Sequence, residues 1–248
     1  MARSDVEVTL SAPKMVSRHM AILAMTGGGK TVAARRIISD MISHQYPLLI
    51  LDPHGDYIGL WKCRELFPDT KITLFYPQFI MAEDGQGIVE ELITQMTQGL
   101  SDPQRDYLGS LLNSTPPKEG TPVLDYITTL IEKAERKLAK EQGKRSAPTM
   151  GAVRRALRIV QAKLQRMTDT NERMRSRFSG LDFEPLPDPV GQPEGIIRPG
   201  QVSIVYLGGY DHITQCSIVA IMLDSLFNHR ANLSNRIPPF QTVIEEAH

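Results

Sequence analysis

One stretch decides the fold of this 248-residue chain: Met20-Ala21-Ile22-Leu23-Ala24-Met25-Thr26-Gly27-Gly28-Gly29-Lys30-Thr31. Its first five residues form an apolar run of the kind found in buried strands, and the run stops at a cluster of glycines. A helical pattern begins near Val32 and ends before Pro47. This order of strand, glycine-rich loop and helix predicts an α/β fold with a parallel sheet.

Further apolar runs extend the predicted sheet. A helix is predicted at residues 214–228, where apolar residues return at helical spacing. Strands are predicted at residues 48–51, 72–76, 201–207 and 242–244, and the run at 48–51 is apolar throughout, as is typical of a strand covered on both faces. The strands and helices therefore alternate along both ends of the chain.

The middle of the chain has a different character. From about residue 87 to residue 180, apolar residues recur every three to four positions, which predicts an inserted helical subdomain. A stretch rich in proline and glycine then leads back to the sheet. We therefore expect the first part of the core at 1–86, the inserted helical subdomain at 87–183, and the connector with the return to the core at 184–248.

Composition limits the class of protein. Hydrophobic residues make up 41% and charged residues 23%, which is close to the average of globular proteins. No apolar run approaches the length of a membrane-spanning helix, so no membrane insertion is expected. Cys63 and Cys216 stand far apart and outside any metal-ligand spacing, which argues against a disulfide framework. We expect a cytoplasmic protein.

The glycine cluster fits the phosphate-binding pattern G-x-x-x-x-G-K-[ST] at every position but the first, where Ala24 stands. A loop between a strand and a helix N-terminus turns backbone N–H groups toward a phosphate, and glycines allow the close approach. We expect Lys30 to reach the β- and γ-phosphates of ATP and Thr31 to bind Mg²⁺. The alternative is a glycine-rich turn without a ligand. The predicted nucleotide-binding residues are Thr26, Gly27, Gly28, Gly29, Lys30, Thr31 and Val32.

A second pattern is the predicted strand 242–244 followed by Glu245 and Glu246, which has the form of a Walker B element. Because successive strand residues point to opposite faces, two adjacent acids can serve different targets. We predict that Glu245 faces Mg²⁺ and its waters. We predict that Glu246 is the general base that polarises the attacking water, with Lys30 as the other catalytic residue. The alternative is a solvated strand end.

A third pattern follows the predicted strand 48–51, at the edge of the sheet where ligands of α/β proteins bind. It is the run Asp52-Pro53-His54-Gly55-Asp56. Asp52 is a candidate for the second shell of the metal, and His54 for sensing the γ-phosphate or contacting a neighbouring subunit. The alternative is turn chemistry, because aspartate, proline and glycine are favoured in turns.

Positive charge is concentrated in one part of a chain whose net charge is zero. Residues 133–177 hold fourteen Lys or Arg against four Asp or Glu. Lys and Arg neutralise the phosphates of DNA, and few aromatic residues interrupt the stretch, which favours contact with a duplex backbone over base stacking. The alternative is the solvated outer face of helices.

Taken together, these motifs resemble the HerA-type branch of the HerA/FtsK ATPases. The resemblance is carried by residues 18–31, 51–57, 198–201 and 244–248, in the order that the family shows. It implies a RecA-like P-loop NTPase core that uses ATP and Mg²⁺ through Lys30, Thr31, Glu245 and Glu246. It also implies a homo-hexameric ring that pumps or unwinds double-stranded DNA. Such rings often work beside a NurA-like nuclease, in end resection or defence.

The chain departs from that family at both ends. HerA proteins usually begin with a small β-barrel domain and continue past the Walker B strand with sensor and arginine-finger elements. In the RecA-like order a later strand separates the Walker B strand from the phosphate-loop strand. We therefore expect the C-terminal part of the core to be missing, the sheet to have a gap or an exposed edge, and this chain alone to hydrolyse ATP weakly or not at all.

Other functions share parts of this pattern. A conjugative or secretion-system motor ATPase has the same core. A P-loop phosphotransferase would use the same loop but would lack the pair Glu245 and Glu246. A regulatory subunit could bind the nucleotide without hydrolysing it.

Overall fold

A computed structural model describes residues 20–23, 25, 28–81, 86–141, 143, 145–187, 192–232 and 237–245. Its sheet consists of β1 (Leu48–Asp52), β2 (Lys71–Tyr76), β3 (Phe183–Pro185), β4 (Gln201–Tyr206) and β5 (Gln241–Ile244). These strands lie in the order β3-β2-β4-β1-β5, and every neighbouring pair is parallel. The α/β class and the parallel sheet predicted from the sequence are confirmed.

Along the described part of the chain, one helix precedes the first strand and the others connect successive strands. They are α1 (Lys30–Ser43), α2 (Ile58–Lys62), α3 (Gln86–Met96), α4 (Asp102–Asn113), α5 (Val123–Lys140), α6 (Ala147–Arg177), α7 (Pro193–Ile196) and α8 (His212–Asn232). None of the helices in the described ranges combines the length and apolar character needed to cross a lipid bilayer.

Both faces of the sheet are covered, which explains the continuous apolar runs in the sequence. All residues of β1 and β4 are buried. On one face, Leu48 and Ile50 of β1 pack in a cluster with Ile38 and Met41 of α1. On the other face, Leu49 and Leu51 belong to a larger cluster that includes residues of α3, α4, α5, α6 and α8. The fold is therefore a three-layer arrangement with the sheet in the middle.

The helices α3 to α6 hold together through apolar stripes at helical spacing. In α5 the stripe includes Ile127 and Leu130, and in α6 it includes Leu157 and Val160. The start of α4 is fixed by a capping box, in which Ser101 and Gln104 satisfy each other's backbone N–H groups. These helices share one continuous core with a face of the sheet.

The predicted strand at residues 20–24 is wrong over its described part, because residues 20–23 form no strand and Leu23 is 90% exposed. An apolar run forms a strand only where a neighbouring strand can complete its hydrogen bonds. Among the described residues, β5 pairs with β1 alone and is the edge of the sheet on that side. Residues 20–23 instead line a cavity beside α1 and β5.

Candidate functional site

The glycine cluster lies at the N-terminus of α1. The N–H of Gly28 donates to the carbonyl oxygen of Met25 at 2.8 Å, which closes a turn before the helix. Gly29 caps the helix with a φ of +81°, a left-handed conformation that glycine adopts without strain. In the described part of this loop no side chain caps the helix, so its first N–H groups are left for an anion. The predicted residues Thr26 and Gly27 lie outside the described residues.

Lys30 and Thr31 are the first two residues of α1, and both line a cavity of about 540 Å³. Lys30 is exposed and Thr31 is half-buried. The cavity also contacts Glu245, at the C-terminal end of β5, and His54 and Asp56 in the loop that follows β1. The carboxyl ends of two parallel strands thus meet the start of α1, and they bring a cation, a hydroxyl and carboxylates to one place.

Val32 and Glu246 are two other predicted site residues. Val32 has a side chain that is 70% exposed, and it is not part of the cavity lining. Glu246 lies outside the described residues. A nucleotide contact by Val32 and a catalytic role of Glu246 therefore stay predictions.

Asp52 ends β1 and is completely buried. Its Oδ1 atom accepts N–H groups from His54, Gly55 and Asp56 at 3.3, 2.7 and 3.0 Å, and its Oδ2 atom accepts the N–H of Tyr57 at 2.9 Å. Burial raises the pKa of the Asp52 carboxyl, and these four donors oppose that effect. The carboxylate thus holds the loop in its conformation, and a second-shell role toward a metal stays a prediction.

Tyr57 links this loop to β5. Its hydroxyl donates to Oε1 of Glu245 at 2.6 Å, and its ring is completely buried. Burial, followed by the neighbouring Glu245 carboxylate, raises the pKa of the Tyr57 hydroxyl above its ordinary value of 10.0. The hydroxyl therefore keeps its proton at neutral pH and remains a donor.

The same loop is tied to α1 on its other side. Arg35 lies four residues after Thr31, and its Nη2 atom donates to the carbonyl oxygen of Asp56 at 2.6 Å. The same guanidinium lies 3.6 Å from the Asp56 carboxylate. The loop therefore contacts both the phosphate-loop helix and, through Tyr57, the acid at the end of β5. Sequence reasoning missed both links, which join residues far apart in the chain.

The donor set fits a magnesium–nucleotide complex. Mg²⁺ prefers oxygen ligands, and in nucleotide sites it is held by one or two protein side chains together with the phosphates and water. Thr31 and Glu245 supply a hydroxyl and a carboxylate on the same cavity. In the described ranges no cluster of three or more His, Cys, Asp or Glu could hold a metal by itself. The hydroxyl of Thr31 and the carboxylate of Glu245 suit a metal that arrives with the nucleotide.

The basic stretch occupies α6 and its neighbourhood. This 31-residue helix is about 46 Å long, at 1.5 Å per residue. Arg155 and Arg166 are exposed on its surface. Arg158 forms an ion pair with Glu135 of α5, and the guanidinium of Arg175 lies 5.8 Å from the centre of the Tyr76 ring. Part of the positive charge is thus used within the fold, and part faces solvent.

Comparison with known proteins identifies a family that matches most of the chain. The profile of the family described as "Helicase HerA, central domain" matches residues 1–226. This range includes Lys30, Asp52 and α6 but ends before β5 and Glu245. No solved structure matches the chain.

Several curated relatives carry helicase names, and three of them illustrate the range of similarity. A probable helicase of Methanocaldococcus jannaschii is 23% identical over all of this chain, which covers 45% of that protein. The DNA double-strand break repair helicase HerA of Pyrococcus furiosus is 36% identical over 37% of this chain and 15% of that protein. A probable HerA of Methanocaldococcus jannaschii is 41% identical over 25% of this chain and 12% of that protein. The chain thus spans less than half the length of each of these relatives.

Proposed function

The chain belongs to the family of the HerA helicase central domain, and from this membership we propose that it binds ATP and Mg²⁺ as the motor core of a double-stranded DNA translocase. One observation carries the proposal: Lys30, Thr31 and Glu245 line a single cavity at the carboxyl edge of a parallel sheet. A lysine, a hydroxyl and a carboxylate around one cavity are the groups that a magnesium nucleotide requires.

Each residue has a defined task in this proposal. The N–H groups at the start of α1 and the ammonium of Lys30 bind the β- and γ-phosphates. Thr31 offers its hydroxyl, and Glu245 its carboxylate, to the metal and its waters. Bound Mg²⁺ neutralises part of the charge that develops on the phosphates. Glu246 accepts the proton of the water that attacks the γ-phosphorus, while the bond to the bridging oxygen breaks and ADP leaves.

The proposal that DNA is the second substrate rests on the names of the relatives and on a basic surface. Two of the relatives are named as DNA double-strand break repair helicases. The exposed arginines of α6 supply a surface that can neutralise phosphates without reading bases. The homo-hexameric ring and the NurA-like nuclease partner belong to the proposal through the family resemblance alone.

Nucleotide binding is the part that one experiment tests directly. Isothermal titration of the chain with MgATP should show binding that falls at least tenfold in Lys30→Ala, because the ammonium is the residue's whole contribution to the phosphates. Lys62→Ala removes an exposed ammonium from α2 and is the matched control. Equal affinity of all three proteins would contradict the proposal.

Hydrolysis is tested separately, by measuring ATP turnover. Glu246→Gln keeps the size of the side chain but removes the base, so ATP should still bind while turnover stops. An unchanged rate would remove Glu246 from the mechanism. A parent protein that binds ATP but has no turnover would favour the non-hydrolysing alternative.

A further inference from the structure

Glu245 lies at the end of β5, a strand that is at the edge of the described sheet and that does not itself fix the carboxylate. Glu245 follows directly after the last residue of β5, and in the described part of the sheet this strand pairs only with β1. The residue is half-buried at the wall of the 540 Å³ cavity. A glutamate has three side-chain torsions, so a carboxylate at such a place needs another group to fix it.

The Tyr57 hydroxyl is that group. It donates to Oε1 of Glu245 at 2.6 Å, a short distance of the kind seen when a hydroxyl meets a charged acceptor. The tyrosine ring is completely buried in the cluster that α1 forms with the sheet, so packing fixes the position of the hydroxyl. Packing of the ring therefore fixes the Tyr57 hydroxyl, and the hydrogen bond from that hydroxyl fixes the Glu245 carboxylate.

The backbone of Tyr57 is fixed as well. Its N–H donates to Oδ2 of the buried Asp52, at the end of the central strand β1. The residue before it, Asp56, contacts Arg35 of α1 through both its carbonyl oxygen and its carboxylate. One short loop thus relates the position of Glu245 to the helix that begins with Lys30.

We propose that Tyr57 is a positioning residue for the metal: its hydroxyl occupies Oε1 of Glu245 and leaves Oε2 for Mg²⁺ and its waters. This inference rests on the proposed nucleotide site. Tyr57 itself touches neither nucleotide nor metal and acts only through Glu245. Groups that orient a metal ligand in this way typically change metal affinity by about 10-fold to 100-fold when they are removed.

The test is Tyr57→Phe, which removes the hydroxyl and keeps the ring. A fluorescent ATP analogue is bound to the chain while the MgCl₂ concentration is varied. The half-saturating Mg²⁺ concentration should rise about tenfold, while the affinity measured in EDTA should stay the same. Tyr126→Phe is the control, because it removes another buried hydroxyl that donates to a backbone oxygen, that of Thr115, far from the cavity lining.

A double-substitution cycle separates positioning from general stability. If Tyr57 acts through Glu245, Tyr57→Phe causes no further change in Mg²⁺ dependence once Glu245→Ala is present. Thermal melting without nucleotide gives a second readout: Tyr57→Phe should lower the midpoint of the parent chain more than that of the Glu245→Ala chain.

Each outcome decides the question. An unchanged Mg²⁺ dependence in Tyr57→Phe, or an equal shift with and without Glu245, would overturn the inference and leave nucleotide binding intact. A Tyr57→Phe chain that does not fold would also overturn it, because the role of the hydroxyl would then be structural. Absence of any Lys30-dependent nucleotide binding in the parent chain would overturn the proposed function and the inference together.

Discussion

Replacing Asp52 by asparagine isolates the role of its carboxylate. The side chain keeps its shape, but one of its two acceptor oxygens becomes an NH₂ group. In the better orientation the remaining oxygen keeps the three donors that Oδ1 now holds, and the NH₂ faces the buried N–H of Tyr57. In the other orientation three donors lose their acceptor. Either way, at least one N–H of the loop loses its acceptor.

The cost follows from these contacts. An unsatisfied buried donor costs about 1–3 kcal/mol. The lost charge also removes the burial penalty that raises the Asp52 pKa, which offsets part of that cost. We expect a net loss of about 1–2 kcal/mol in the free energy of unfolding, in line with a buried network that loses one bond. In a chain of this size that corresponds to a fall of about 2–8 °C in the melting temperature.

Thermal denaturation followed by circular dichroism measures this change. The control is Asp40→Asn on α1, where the carboxylate is exposed and forms an i,i+4 ion pair with Arg36. Such a surface change should stay within about 0.5 kcal/mol. If Asp52→Asn melted no lower than Asp40→Asn, the idea that this carboxylate holds the loop would be refuted.

Two further changes test the loop and the basic surface. Gly55→Ala should destabilise the chain by about 1–2 kcal/mol, because its φ of +84° is left-handed and a Cβ would lie 3.2 Å from a tyrosine ring. The control is Gly59→Ala, inside α2 and with open space around it, which should not lower the melting temperature. Replacing Arg155 and Arg166 together by glutamate should weaken duplex DNA binding and lower its dependence on log salt by about two, whereas Lys62→Glu should leave that slope unchanged. Equal slopes in fluorescence anisotropy would mean that α6 does not contact DNA.

The central strands β1 and β4 are buried along their whole length, and their mostly apolar sequences could be recognised as strands. The strands predicted at 48–51, 72–76, 201–207 and 242–244 are confirmed to within one residue at either end. The described part of the run at 20–24, residues 20–23, is also apolar but has no neighbouring strand in the described sheet, and composition alone cannot supply a hydrogen-bonding partner. The three residues of β3 end in proline and are partly exposed. Their sequence therefore shows neither an apolar run nor an alternation of apolar and polar residues from which a strand could be predicted.

The candidate site was predictable as a set of motifs but not as a set of contacts. Local spacing identified Lys30, Thr31 and Glu245, and the structure brings all three to one cavity. The hydrogen bond from Tyr57 to Glu245 joins residues 188 positions apart, and no local pattern encodes such a pairing. A signal existed all the same: a tyrosine that closes a turn after a buried strand needs a partner for its hydroxyl.

The continuous core between the sheet and the helices α3 to α6 limits how this part of the chain can be engineered. Deleting residues 87–180 would remove a large part of the cover over the apolar side chains of Leu49, Leu51 and Phe75, since these belong to the same cluster as the helices. Exposed apolar area of that kind drives self-association. A shortened variant made to study ATP binding should therefore keep these helices, because they are the cover of the sheet rather than an accessory to it.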